Sequence, residues 1–459
     1  MSVRETEGST VAVHPLHRPF EAVIEPPGSK SETNRYLALA ALADGPSVIH
    51  RPLRSADTDA FVDALHACGV DVARRAGRVN VHPTQERMPG GCSVHLGDGG
   101  TPTRFMMAIA STARRPVLID GSARMRERPI AEGVELLRSL GARIEYAEAE
   151  GRLPVRVGGG RMPTGGTVEA GRTLSSQFIS AILLLGARLE RGVDLFVKGE
   201  ELTSPSYVEL TIAALQRFGV QVTVLRDTNG RLSRVTVAPG AIPACDVMVE
   251  PDASSAVYFL GAATLVRDSR VTIRGLPRLS RQPDAACLAA LCSMGAREWS
   301  GPAGLGIEGT ATLNGIDVDA SRWPDGALCV AAVASMAKGS TRIRGLETLK
   351  VKESNRVQVL VDELAKLGCA SEAGDGFIVI HPSSEGARAA VIDPHGPPCS
   401  DDLRNAGAGA PGNLDRRSRM CCEELPRLLG GSCHALGRCA PIDFFRCDAT
   451  VPLTRSPVA

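Results

Sequence analysis

Val208-Glu209-Leu210-Thr211-Ile212-Ala213-Ala214-Leu215-Gln216-Arg217-Phe218-Gly219-Val220 decides how this chain is read. Val208, Ile212 and Leu215 recur at the spacing of one helical face, a glycine stops the helix, and a β-type run follows. The same helix–Gly–strand order returns at 61–70, 134–144, 285–297 and 359–369. Recurrence of one local pattern points to a repeated α/β unit. The intervals between copies are irregular, so a few repeats packed about a shared core are expected, not an open solenoid.

A chain of 459 residues is too long for one core and predicts two or three domains. Cys245–Ser255 reads as an extended run passing into an N-capped helix, which places one domain crossing there; Glu25-Pro26-Pro27 suggests an earlier one. The expected division joins residues 1–25 to 248–396 in one domain and assigns 26–247 to a second. Residues 397–459 form an aberrant tail, expected to be poorly ordered.

Composition narrows the function classes. A net charge of +1 and only 3% aromatic residues argue against an extended nucleic-acid surface. No run approaches the roughly 18–20 apolar residues of a membrane span, and Met1 to Pro19 lacks an apolar signal core, so a cytoplasmic protein is expected. No paired Cys spacing suggests a metal site. Of the thirteen Cys, Cys399, Cys421, Cys422, Cys433, Cys439 and Cys447 crowd the stretch after Gly396, and the other seven read as small core residues.

Six short stretches carry candidate chemistry, each with a plain structural explanation beside it. Gly28-Ser29-Lys30-Ser31, with Arg35 about a turn later, opens an apolar helix whose free N–H groups favour an anion; a capped helix with a surface Lys explains it too. Gly97-Asp98-Gly99-Gly100 is a turn that lets a ligand approach the backbone, or simply a turn. Arg124, Arg126 and Arg128 sit in five residues, as in many solvated loops. Ser175-Ser176-Gln177 opens a very apolar helix with more donors than capping needs. Asp325 heads another apolar helix, where a cap is commoner than a base. Lys352 and Arg356 share a helical face beside Glu353, a routine charge pattern.

Taken together and in this order, from Pro27-Gly28-Ser29-Lys30-Ser31 to Arg356 and on to Ile392-Asp393-Pro394-His395-Gly396, these stretches resemble the 5-enolpyruvylshikimate-3-phosphate synthase family. The resemblance implies a two-domain inverse α/β barrel of repeated βαβαββ units that closes over its substrates. It implies transfer of the enolpyruvyl group of phosphoenolpyruvate to the 5-hydroxyl of shikimate 3-phosphate, with release of phosphate. Lys30, Arg128 and Arg356 would hold phosphoenolpyruvate, with Gly100 close against it. Ser31, Arg35, Ser175, Ser176, Ser204 and Tyr207 would hold shikimate 3-phosphate, and Gln177 would lie between the two ligands. Asp325 would be the base, Lys352 would contact the same substrate, and Glu353 would protonate the methylene carbon. Asp98 and Thr348 stand where the family usually carries Asn. No metal or cofactor is implied, no nucleic-acid or membrane partner, and a monomer is expected.

After Gly396 the resemblance stops. The family continues with Asp-His-Arg and later Val-Ala-Lys, whose Arg and Lys bind phosphoenolpyruvate; this chain has Pro397-Pro398-Cys399-Ser400. Gly396 to Leu403 can be encoded GGA CCA CCG TGC TCG GAT GAC CTT. Read from the second base, this gives Asp-His-Arg-Ala-Arg-Met-Thr. The same shift over Asp415 to Leu428 permits a run containing Val-Ala-Lys. A frameshift near Gly396 is therefore expected; genomic DNA unable to encode Asp-His-Arg in any phase would refute it. The competing reading of this stretch is a Cys/Arg-rich zinc or nucleic-acid tail, and for the whole chain the alternatives are an impaired remnant that binds shikimate 3-phosphate alone or the related UDP-N-acetylglucosamine enolpyruvyl transferase. The latter opens on a different turn and uses a loop Cys, which 120–129 lacks.

Overall fold

The computed structural model describes residues 18–84, 87–199, 201–351 and 355–383. The aberrant tail, Lys352 and Glu353 lie outside them.

Helix termination shows how the repeating pattern works. In the helix Pro205–Arg217, the Val220 N–H donates to Leu215 O at 3.0 Å and the Gly219 N–H to Gln216 O at 3.0 Å, with Gly219 at φ +73°. This paired closure satisfies carbonyls the helix leaves open and needs a left-handed residue that only glycine adopts without strain. Gly368, at φ +83°, repeats it after Arg356–Lys366.

The described residues form two compact units. The first comprises Pro27–Ala253 and Leu279–Pro283; the second takes the residues before Pro27, Ser254–Arg278 and those from Asp284 on. The return of Leu279–Pro283 to the first unit has no counterpart in the sequence pattern.

Three repeats build the first unit. One contains β13 (Asp246–Met248), α1 (Lys30–Leu42), β2 (Ser47–His50), α2 (Ala56–Ala67), β3 (Asp71–Arg75) and β4 (Arg78–His82). The next contains β5 (Ser93–His95), α3 (Gly100–Ala110), β6 (Val117–Asp120), α4 (Ala123–Glu127), α5 (Ala131–Ser139), β7 (Ile144–Tyr146) and β8 (Val155–Val157). The third contains β9 (Gly166–Ala170), α6 (Ser176–Leu185), β10 (Val193–Val197), α7 (Pro205–Arg217), β11 (Val222–Arg226) and β12 (Leu232–Val237). Each folds into a four-stranded sheet whose first two strands are parallel and whose last two run antiparallel, in order β13-β2-β4-β3, β5-β6-β8-β7 and β9-β10-β12-β11. One apolar core, including Leu37, Leu39, Met106, Ile109 and Ile182, runs through all three.

Two such sheets belong to the second unit among the described residues. One joins β1 (Glu21–Ile24), β14 (Arg270–Arg274), β15 (Arg297–Gly301) and β16 (Gly304–Glu308) with α8 (Ala253–Leu265) and α9 (Cys287–Met294). The other joins β17 (Asp317–Asp319), β18 (Thr341–Arg344), β19 (Ala370–Ala373) and β20 (Phe377–His381) with α10 (Ala327–Ala334) and α11 (Arg356–Lys366). The βαβαββ repeat is thus observed directly. In two repeats the leading strand, β1 or β13, comes from a distant part of the chain.

α10 is apolar and buried on every face, and α6 is buried throughout from Phe178 on, as inner helices must be. α11 shows the opposite pattern, burying Val357, Leu360 and Leu364 along one stripe. Cys68, Cys287, Cys329 and Cys369 are buried, while Cys92, Cys245 and Cys292 are half-buried. No described helix is long and apolar enough to cross a membrane.

Candidate functional site

In the first unit, residues near the starts of α1, α3 and α6 touch one another. The Arg35 guanidinium on α1 lies 5.6 Å from the Phe105 ring on α3, and Arg104 on α3 lies 5.5 Å from the Phe178 ring on α6. Three helix N-termini therefore share one end of this unit, and their dipoles favour negative charge there.

Each start is built locally. Ser29 caps α1, Ser175 caps α6 by accepting from the Gln177 N–H at 3.3 Å, and Gly99 opens α3 without a side-chain cap. The Lys30 N–H donates to Asp252 at 2.9 Å; its ammonium, about half exposed, lies 3.6 Å from Asp57. Ser204 precedes α7 at φ +45°, a left-handed geometry costly for a side-chain-bearing residue, and its hydroxyl does not cap the helix. Gln177 Oε1 is buried with no hydrogen-bond partner among the described residues.

Arg35 is held within this end of the unit. It is 2% exposed, and its guanidinium donates to Ser31 O at 2.9 Å, Thr211 Oγ1 at 2.8 Å, Tyr207 O at 2.9 Å and Ser180 Oγ at 3.5 Å. It ties the loop end of α1 to α6 and to the Ser204–Tyr207 turn of α7. Burial lowers its pKa to about 10, which leaves it charged.

The three clustered arginines separate. Arg124 pairs with Glu127 at 2.6 Å, and Arg126 pairs with Asp120 at 2.5 Å and with Glu148 at 3.2 Å. Arg126 holds the Asp120 carboxyl below its usual range by direct hydrogen bonding. Arg128 instead turns toward Gly100. A Cβ placed on Gly100 would stand 2.8 and 3.0 Å from the Arg128 terminal nitrogens and 3.1 Å from Arg104 Nη1. Two guanidinium groups thus flank the start of α3. Arg104, 3% exposed, escaped the sequence reading; a lone Arg four residues into an apolar helix was its only signal. Asp98 accepts a hydrogen bond from Ser122, the cap of α4.

In the second unit, Asp325 does not cap α10. Gly326 occupies the cap position, and its N–H donates to the buried Asp284 at 3.0 Å. Asp325 accepts from Arg356 Nη1 at 2.7 Å, with side-chain exposures of 23% and 10%. The structure brings these two predicted residues together as a largely buried ion pair. Thr348 lies in the short turn 347–351, and its hydroxyl oxygen is buried with no hydrogen-bond partner among the described residues.

Glu32, one residue past Lys30's neighbour Ser31, is 4% exposed and accepts from the Glu250 N–H at 2.8 Å. Burial first, and the nearby Glu250 carboxylate second, raise its pKa from 4.5 to about 7. A folded-state pKa above the unfolded value means the native state holds more protons between those pH values. Stability is then lost as pH rises from 4.5 to 7, and the full cost remains above 7. Glu32→Gln is expected to stabilise the protein at pH 8 by on the order of 3 kcal/mol, with little gain at pH 4.5. Unfolding midpoints at both values check this; an equal effect at both would remove the carboxylate as the cause.

The sequence profile of the EPSP synthase (3-phosphoshikimate 1-carboxyvinyltransferase) family matches residues 17–410. A 3-phosphoshikimate 1-carboxyvinyltransferase of Methanosphaerula palustris is 38% identical over 399 residues, covering 86% of this chain and 90% of the relative. One from Edwardsiella ictaluri is 36% identical over 392 residues, covering 82% and 87%. Among solved structures, an EPSP synthase from Acinetobacter baumannii superposes with a TM-score of 0.67 at 24% identity, over 81% of this chain and 84% of that one. The enolpyruvyl transferase NikO from Streptomyces tendae does so at 0.60 and 18%, over 80% and 83%. The chain belongs to the EPSP synthase (3-phosphoshikimate 1-carboxyvinyltransferase) family.

Proposed function

We propose that the protein transfers the enolpyruvyl group of phosphoenolpyruvate to the 5-hydroxyl of shikimate 3-phosphate. The substrate hydroxyl oxygen bonds to C2 of the enol phosphate while C3 gains a proton; the tetrahedral adduct then loses a C3 proton and expels phosphate from C2, leaving an enol ether. Two anions must lie side by side, so cations have to offset their repulsion. In this reading Lys30 and Arg128 hold phosphoenolpyruvate beside Gly100, joined by Arg356, and Asp325 takes the hydroxyl proton. Ser31, Arg35, Ser175, Ser176, Ser204 and Tyr207 hold shikimate 3-phosphate with Gln177 and Lys352, and Arg35 also fixes the helices that present the others. Glu353 supplies the acid. The same reading has the enzyme act as a cytoplasmic monomer without a nucleic-acid or membrane partner.

The observation that carries this is the meeting of two guanidinium groups over Gly100 at the helix starts of the first unit. Gly100→Ala would force Arg128 to move. It is expected to weaken phosphoenolpyruvate binding by about 10- to 100-fold, the scale of one or two lost charge-assisted hydrogen bonds, while shikimate 3-phosphate binding changes less than twofold. Calorimetry with each ligand checks the split; equal losses for both ligands would argue against this placement. The function itself is tested by phosphate release that requires both substrates. Release with either one alone would refute it.

A further inference from the structure

Leu279–Pro283 belongs to the first unit although the chain on both sides of it belongs to the second. Its anchor is Gln282, 5% exposed. Gln282 Oε1 accepts from the Ala253 N–H at 2.9 Å, and its Nε2 donates to Pro251 O at 2.8 Å and to Glu250 Oε2 at 3.1 Å. Ser280 donates to the same Glu250 oxygen at 2.6 Å and accepts from the Gln282 N–H at 3.2 Å. Both amide hydrogens and the carbonyl oxygen of one side chain are thus in use on residues 250–253.

Residues 250–252 are in turn what holds the start of α1. The Ser29 N–H donates to Glu250 O at 2.8 Å, the Lys30 N–H to Asp252 Oδ2 at 2.9 Å, and the Asp252 N–H to Pro27 O at 2.8 Å. Gly28 and Pro251 form an antiparallel bridge. A Cβ on Gly28 would lie 2.0 Å from Arg51 O, so the Lys30 loop has no room to relax sideways. Every backbone acceptor or donor just cited on 250–252 meets Gln282 on one side or the Lys30 loop on the other.

We propose that Gln282 is a positioning residue for the Lys30 loop: it fixes Glu250–Ala253, which supplies the hydrogen-bond partners that set the Ser29 and Lys30 backbone. This rests on the assignment of Lys30 as a substrate ligand for its effect on catalysis, though not for its effect on structure. Glutamate could not substitute. It would lose both donors and set a second carboxylate against Glu250.

Hydrogen–deuterium exchange on the full chain tests the idea directly, with Gln282→Ala, Gln282→Glu and wild type compared. Exchange at Ser29 and Lys30 is expected to rise by about 5- to 30-fold in both variants, while the amides of β9–β12 stay within twofold. Calorimetry on the same samples should show weakened phosphoenolpyruvate binding in the presence of shikimate 3-phosphate. Unchanged exchange at 28–33 in a folded variant would overturn the proposal. So would a rise spread evenly over the third repeat, which marks general destabilisation. If Gln282→Ala does not fold, Gln282→Glu, which keeps the volume and the acceptor, decides alone. A wild-type chain that binds neither ligand would sink the proposed function and leave exchange to judge Gln282.

Discussion

If a frameshift near Gly396 produced the present end of the chain, a version read in the other phase from there is expected to raise phosphate release by at least about a thousandfold over the chain as it stands. The present sequence replaces a run that the frame shift would read as Asp-His-Arg, and a later Val-Ala-Lys, with Pro397-Pro398-Cys399 and a Cys- and Arg-rich stretch. The family resemblance implies that the Arg and the Lys of that alternative reading touch phosphoenolpyruvate. Losing one partner of a desolvated charge pair costs about 2–5 kcal/mol, so two losses exceed about 4 kcal/mol, and each 1.4 kcal/mol is tenfold. Side-by-side assays of the two chains, with both substrates, check this. Equal rates would mean that the residues after Gly396 do not serve the reaction.

Asp325→Asn, made in the frame-restored chain, is expected to lower the turnover number by about 10²- to 10⁴-fold, the range for removing a positioned proton acceptor. Shikimate 3-phosphate affinity should fall much less, since asparagine keeps the shape and one acceptor oxygen. The variant also leaves Arg356, only 10% exposed, facing an amide instead of a carboxylate 2.7 Å away. Phosphoenolpyruvate affinity is therefore expected to change as well. Steady-state kinetics with calorimetry separate the two effects. A variant with intact turnover would remove Asp325 from the chemistry and leave it an ion-pair partner for Arg356.

Much of the fold was legible because its signals are local. The Gly219 and Gly368 turns close helices through bonds between residues five positions apart or fewer, and a sequence displays those directly. The strong apolarity of α6 and α10 marked inner helices equally well. Ser175-Ser176-Gln177 stood out because one cap needs one hydroxyl. What sequence could not show was which partner each charge would take. Arg124, Arg126 and Arg128 look alike in the chain, yet Arg124 meets Glu127, Arg126 meets Asp120 and Glu148, and the Arg128 guanidinium lies beside Gly100. Arg35 stands beside Lys30 in the sequence, which did not show that its guanidinium also donates to Ser31, Ser180, Tyr207 and Thr211, residues up to 176 positions away. Gln282 was invisible for the same reason. A lone amide in a polar loop carries no period, and only the path of the backbone reveals what it meets.

The distant origin of β1 has a consequence for how the molecule comes into being. β1 pairs with β14, and Phe20 reaches Ser269 across 249 positions, whereas Cys245 reaches Ser47 across 198. During synthesis, strand β13 emerges in time to close its own sheet while translation continues. Strand β1, made well before its partner, must wait unpaired until β14 leaves the ribosome. Such late long-range closure is slow and leaves an open strand edge exposed in the nascent chain, so this segment is where chaperones would be needed most.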